Sequence, residues 1–184
     1  MSYQGDIAVS HTTSPFISAY PWSGGFGTKY SNPSTLPAGT GRGVAFSPDG
    51  SDIAVSHTTS PFISVYPWSS GFGTKYSDPS TLPTGTGQGV AFSPDGNDIA
   101  VAHNTSPFIS VYPWSGGFGT KYSNPSTLPA NTGQGVAFSP MSTSADPITK
   151  VKVAGTLVPI APKVKIGGTF VEKTSKVKVG GTFV

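Results

Sequence analysis

The fold class this sequence predicts is all-β: three near-identical units followed by a short basic tail of β-hairpins. Three observations carry that expectation. Asp6, Asp52 and Asp98 open matching segments 46 residues apart, so one folding unit is written three times. The 184 residues include 24 Gly and 18 Pro but only 10% charged residues, a composition poor in helix formers and rich in turn formers. Aromatic residues make up 11%, and apolar residues alternate with polar ones, which separates the chain from disordered low-complexity sequence.

The central copy justifies each element in turn. Gly43 to Ser47 reads as a short apolar strand, and Ser47-Pro48-Asp49-Gly50 places Pro and Gly where a tight turn wants fixed and positive φ. Asp52 to His57 carries Ile53 and Val55 at alternating positions, and Thr58-Thr59-Ser60-Pro61 reverses the chain into a third strand, Phe62 to Tyr66. Pro67 closes that strand because it has no N–H to donate. Ser69-Ser70-Gly71 then leads to a fourth strand, Phe72 to Tyr76, and Asp78 to Gly87 is a Pro/Gly-rich surface connector.

After Pro140 the repeat stops, and residues 141–149 read as a linker. A second period, of 13 residues, follows: Lys150-Val151-Lys152-Val153-Ala154-Gly155-Thr156-Leu157-Val158 recurs from Lys163 and again from Lys176. Alternating Lys and aliphatic residues place charge on one strand face, and Gly167-Gly168 and Gly180-Gly181 suit two-residue hairpin turns. Such hairpins are too short to stand alone in water. Lys150, Val151, Lys163, Val164, Phe170, Lys176, Val177 and Phe183 are therefore the expected assembly residues. The expected division is a repeat domain over 1–140, a linker over 141–149 and a basic hairpin tail over 150–184.

The strings Val-Ala-Phe-Ser-Pro-Asp-Gly (44–50), Asp-Ile-Ala-Val-Ser (52–56) and Phe-Ile-Ser-Val-Tyr-Pro-Trp (62–68) together resemble a blade of the WD40-like β-propellers. The resemblance implies three four-stranded blades per chain, with Trp22, Trp68 and Trp114 ending the third strands. Ser23, Ser69 or Ser115 follows each Trp where that family has Asp, and the family's Gly-His dipeptide is absent, so its hydrogen-bonded tetrad is not carried over. The array opens on a second strand at Asp6 and closes on a first strand, Gly135 to Pro140, leaving an edge to be paired at each end. Propellers have about four to eight blades, so three per chain favours closure by oligomerisation, two chains supplying six. The alternative is a self-closed three-fold unit of the β-prism or β-trefoil kind. The tail resembles the Lys-Val-Lys-Val-Gly-Gly-Thr-aromatic repeats near the ends of phage tail and virion proteins.

Charge divides with the repeats. Residues 1–140 carry Lys29, Arg42, Lys75 and Lys121 against six aspartates, a net −2, whereas residues 141–184 carry seven lysines against Asp146 and Glu172, a net +5. The tail lysines lie on one strand face without interleaved aromatics, which argues against nucleic acid. Cysteine is absent, so neither disulfides nor thiolate metal sites are available. The N-terminus lacks a basic stretch followed by an apolar run, and no stretch reaches membrane-spanning length, so a soluble, unprocessed product without membrane insertion is expected.

Candidate chemistry recurs once per repeat. His11, His57 and His103 could gather around zinc, but one His per unit is no local ligand set, and backbone bonding is weighed ahead of it. Asp49 and Asp95 suit turn capping better than hydrolysis. No nucleophile elbow or phosphate loop is present, and near-identical copies do not supply the distinct acid, base and orienting groups that catalysis needs. No enzyme activity and no cofactor are expected. Phe26, Tyr30, Phe72, Tyr76, Phe118 and Tyr122, beside Gly-rich loops, are the candidate glycan-binding aromatics, where a repeated weak site gains avidity. For the three Trp, burial between units is weighed ahead of binding. The expected function is that of a virion structural protein of a bacterial virus, a tail-fibre or capsid-fibre component, made in the host cytoplasm and located in the virion. Its expected partners are copies of itself and other virion proteins. A lectin-like adhesin for host-surface glycans is the alternative.

Overall fold

The computed structural model describes residues 4–140 and, beyond them, only the backbone of six short strands. The chain separates into two compact units, Met1–Pro140 and Met141–Val184. All regular structure among the described residues is β.

In the first unit, β1 (Gly5–Ser10) pairs with β2 (Ile17–Trp22) as a two-stranded antiparallel sheet. The second repeat forms a three-stranded sheet from β3 (Gly41–Phe46), β4 (Asp52–His57) and β5 (Ile63–Pro67). The third does the same with β6 (Gly87–Phe92), β7 (Asp98–His103) and β8 (Ile109–Pro113). Register is repeated residue for residue: Val44 opposes Val55 and Phe46 opposes Ile53 in one sheet, Val90 opposes Val101 and Phe92 opposes Ile99 in the next.

The second strand matches the sequence expectation, and the third is shifted by one residue. Phe62 lies outside β5 because its φ of 70° puts it in the left-handed region, held there by bonds from Phe62 N to Thr59 O and from His57 N to Phe62 O. Pro67 ends β5 as its last residue: it has no N–H, but its carbonyl accepts Gly73 N at 2.8 Å. The four-stranded expectation needs correction at the fourth strand. Residues 72–76 are tied to β5 only by the Trp68–Phe72 bridge and by Gly73 N to Pro67 O and Tyr76 N to Val65 O, too few bonds for a ladder. Pro67 cannot donate, so the pairing does not propagate.

The sheets stack face to face. Ile53, Val55, Tyr66 and Trp68 of the second repeat pack on Ile17 and Ala19 of the first. The opposite face of the second repeat, through Ala54, Ile63 and Val65, packs on Ile99, Val101, Tyr112 and Trp114 of the third. Strand β4 is covered on both faces, which is why all six of its residues are buried. First strands of neighbouring repeats run side by side at the closest point of the stack. A Cβ on Gly43 would stand 2.9 Å from Gly89 Cα, and one on Gly89 2.8 Å from Gly135 Cα, so this row admits only glycine.

In the second unit, β9 (Lys150–Val153) pairs with β10 (Thr156–Pro159), β11 (Lys163–Ile166) with β12 (Thr169–Glu172), and β13 (Lys178–Val179) with β14 (Thr182–Phe183), all antiparallel. The linker expected over 141–149 lies outside the described residues, as do the side chains expected to mediate assembly.

Candidate functional site: the seam between repeats

Each seam is built around one aspartate. Asp52 accepts the Tyr76 hydroxyl of its own repeat on Oδ1 at 2.8 Å and the Trp114 indole Nε1 of the following repeat on Oδ2 at 2.9 Å. Asp6 does the same one repeat earlier, accepting Tyr30 at 2.8 Å and Trp68 at 2.8 Å. The spacing dictates this geometry: Asp opens the second strand, Tyr ends the irregular fourth segment of the same unit, and Trp follows the third strand of the next. A carboxylate buried this way is tolerable because both oxygens are engaged.

Aromatic packing repeats with the hydrogen bonds. Trp114 meets Tyr76, Phe92 and Phe118 edge to face, with ring centroids 5.2, 5.7 and 5.1 Å away. Trp68 meets Tyr30, Phe46 and Phe72 at 5.1, 5.4 and 5.0 Å. Each such pair is worth about 0.5–1.5 kcal/mol beyond area burial. A second donor crosses the seam, Tyr66 to Thr35 O and Tyr112 to Thr81 O, both at 2.8 Å. Burial pushes the Tyr112 phenol up to about 12, and burial with the Asp52 bond does the same to Tyr76.

The candidate glycan-binding aromatics therefore have specific places. Tyr30, Tyr76 and Tyr122 donate to Asp6, Asp52 and Asp98. Phe72 and Phe118 are half-buried against Tyr and Trp, while Phe26 is 67% exposed. The structure places Phe72 against Trp68 and Tyr76 against Trp114, in two different clusters, rather than leaving them as free stacking platforms.

The histidines resemble a nucleophile–base arrangement at first sight, because His57 and His103 place Nε2 3.1 Å from Ser64 Oγ and Ser110 Oγ. His103 Nδ1 lies 2.7 Å from Thr105 O, a pure acceptor, so Nδ1 carries the proton and Ser110 donates to Nε2. Both imidazoles are fully buried, as are the serines, so no substrate carbonyl can reach them. Burial pushes both imidazole pKa values down. No group of three or more metal-ligating side chains occurs among the described residues.

At the turns, Asp49 Oδ1 accepts Ser47 Oγ at 2.6 Å and Ser51 N at 3.1 Å, and Asp95 Oδ1 accepts Ser93 Oγ at 2.5 Å and Asn97 N at 3.2 Å. These bonds hold both carboxyls below the usual range. They border a hollow of about 360 Å³ with Asp52 and Trp114, but every carboxylate there is already committed.

No protein-family model matches the chain, and no curated protein matches it. Among solved structures, a protein of Bacteroides fragilis NCTC 9343 named as a 6-phosphogluconolactonase is similar over 65% of this chain, with 15% sequence identity and a TM-score of 0.48. The chain spans 34% of that protein's length.

Proposed function

We propose that this chain is a non-enzymatic structural protein of a bacterial virus particle, a fibre component whose repeats form an exposed propeller-like module closed by association of copies. The basic tail is the element that joins it to other virion proteins. The observation that supports the non-enzymatic reading most strongly is the repeated consumption of reactive groups. Asp6 and Asp52 give both oxygens to Tyr and Trp, and His57 and His103 are sealed against Ser. An active site needs the opposite, an accessible asymmetric set with at least one uncommitted acid, base or nucleophile. The virion assignment rests on the resemblance of the 13-residue tail repeats to those of phage tail proteins.

Deletion of residues 150–184 tests the tail's role. Particles assembled with the truncated chain should lack it when probed by quantitative immunoblot; normal incorporation would refute the assignment.

A lectin-like adhesin is the second reading, favoured by the 67% exposure of Phe26 beside a Gly-rich loop. Glycan-array binding that disappears in the Phe26→Ala, Phe72→Ala, Phe118→Ala triple variant would select it. Turnover of sugar, lactone or ester substrates by the purified chain would overturn both readings.

A further inference from the structure

The two ends of the repeat array carry the halves of one more seam. On the first repeat, the face equivalent to the buried Ile53 and Val55 is open: Ile7 and Val9 are 39% and 49% exposed where their counterparts are 0%. These residues line an apolar groove of about 600 Å³ with Ala8, Tyr20 and Phe26. Trp22 keeps its Phe26 contact at 5.0 Å, but its indole nitrogen has no acceptor among the described residues. At the other end, Asp98 accepts Tyr122 on Oδ1 at 2.9 Å, while its Oδ2 receives no donor among them. Tyr122 is 48% exposed where Tyr76 is half-buried.

The first strand of a fourth unit is already seated. Gly133 N donates to His103 O at 3.1 Å, as Gly41 N does to His11 O at 3.1 Å, and Gly135 continues the row begun by Gly43 and Gly89. Residues 133–138 nevertheless pair with no second strand among the described residues, and β1 pairs only with β2.

We propose that a second copy of this chain completes the split unit head to tail. Residues 133–138 of one copy add to β1 of the other in the register of the two internal sheets, and Trp22 donates its indole N–H to Asp98 Oδ2 of the copy before it. The inference deepens the oligomer-closed reading above and rests on it. The occupant is fixed by continuity: the two internal seams already show which face meets which, and the open groove and the open carboxylate are the two sides of a third. The register places Val136 opposite Val9, as Val44 opposes Val55. Trp22 then sits between Tyr122 and Phe138 of the other copy, as Trp68 sits between Tyr30 and Phe46. Tyr20 reaches Thr127 O, as Tyr66 reaches Thr35 O. The contact is heterologous, and with two copies it occurs twice and closes.

The chain contains no cysteine, so single-cysteine variants report pairing cleanly. Mixed and oxidised, a Val9→Cys chain and a Val136→Cys chain should give a reducible covalent heterodimer. Val9→Cys mixed with Ala137→Cys, one residue out of register and facing the other way, should not. Two further variants spare the fold. Nothing lies within 4 Å of a Cβ at Gly135, so Gly135→Ala is silent within one chain but meets Gly43 of the next copy. Trp22→Phe removes one charge-assisted bond from each of the two contacts in the closed pair and should weaken association about a hundred- to ten-thousandfold in sedimentation equilibrium. An assembled chain that neither cross-links at 9–136 nor responds to Trp22→Phe and Gly135→Ala would overturn the seam and leave closure by another route. A chain of single-copy mass at micromolar concentration would overturn the seam and the oligomer-closed reading together.

Discussion

Replacing Asp52 with Ala removes the one acceptor that serves two donors from different repeats. The carboxylate is 5% exposed, and its bonds to Tyr76 and Trp114 are 2.8 and 2.9 Å long. Hydrogen bonds to charged groups contribute about 1.5–3 kcal/mol each, so losing both costs about 3–6 kcal/mol. Trp114 is itself only 5% exposed, so water cannot readily replace the lost acceptor. Urea unfolding followed by circular dichroism, at one fixed protein concentration, measures the difference. Trp114→Phe keeps most of the ring and deletes the donor. A double-mutant cycle between the two substitutions should return a coupling of about 1.5–3 kcal/mol. A cost below about 1 kcal/mol for Asp52→Ala, or a coupling near zero, would refute the reasoning that this carboxylate ties adjacent repeats together.

Other expectations follow from the same seams. Gly89→Ala forces a Cβ to 2.8 Å from Gly135 Cα and 3.3 Å from Gln134 O, so it should destabilise by about 1–3 kcal/mol in the same assay, whereas an unchanged midpoint would contradict the close approach. Burial lowers the imidazole pKa of His57 and His103 from 6.5, so the unfolded chain binds more protons as pH falls through that value. Stability should therefore be full above about pH 6.5 and decline below it, and His57→Gln should flatten that limb of the stability–pH curve. Tyr76 and Tyr112 are raised to about 12, so stability should fall above about pH 10, where the unfolded phenols lose protons and the folded ones keep them. Absorbance titration at alkaline pH should show these two tyrosines ionising with unfolding; ionisation near pH 10 in the folded chain would contradict their burial.

Much of the fold was legible because the 46-residue period repeats its punctuation. Ser47-Pro48-Asp49-Gly50 and Ser93-Pro94-Asp95-Gly96 mark the same turn, and the alternation in Asp52–His57 matches β4 to the residue. The fourth strand failed because a Gly-containing loop leading into Phe72-Gly73-Thr74-Lys75-Tyr76 says nothing of whether its neighbour can pair, and Pro67 beside it cannot donate. The aspartate bridge was written in the sequence but invisible as a motif, since its members are distant. Tyr lies 24 and Trp 62 residues beyond Asp6 and Asp52 alike, and the Trp separation becomes contact only when one repeat stacks on the next. The aromatics offered as glycan binders share composition with a stacking platform. What distinguishes them is whether a Trp already occupies their faces, and periodicity does not report that.

The central claim is that the array is completed by a second copy, and the mass of the 184-residue chain in solution tests it most directly. Light scattering coupled to size exclusion at micromolar concentration should return twice the 18.8 kDa of one chain. A single-chain mass that persists as concentration rises would contradict it.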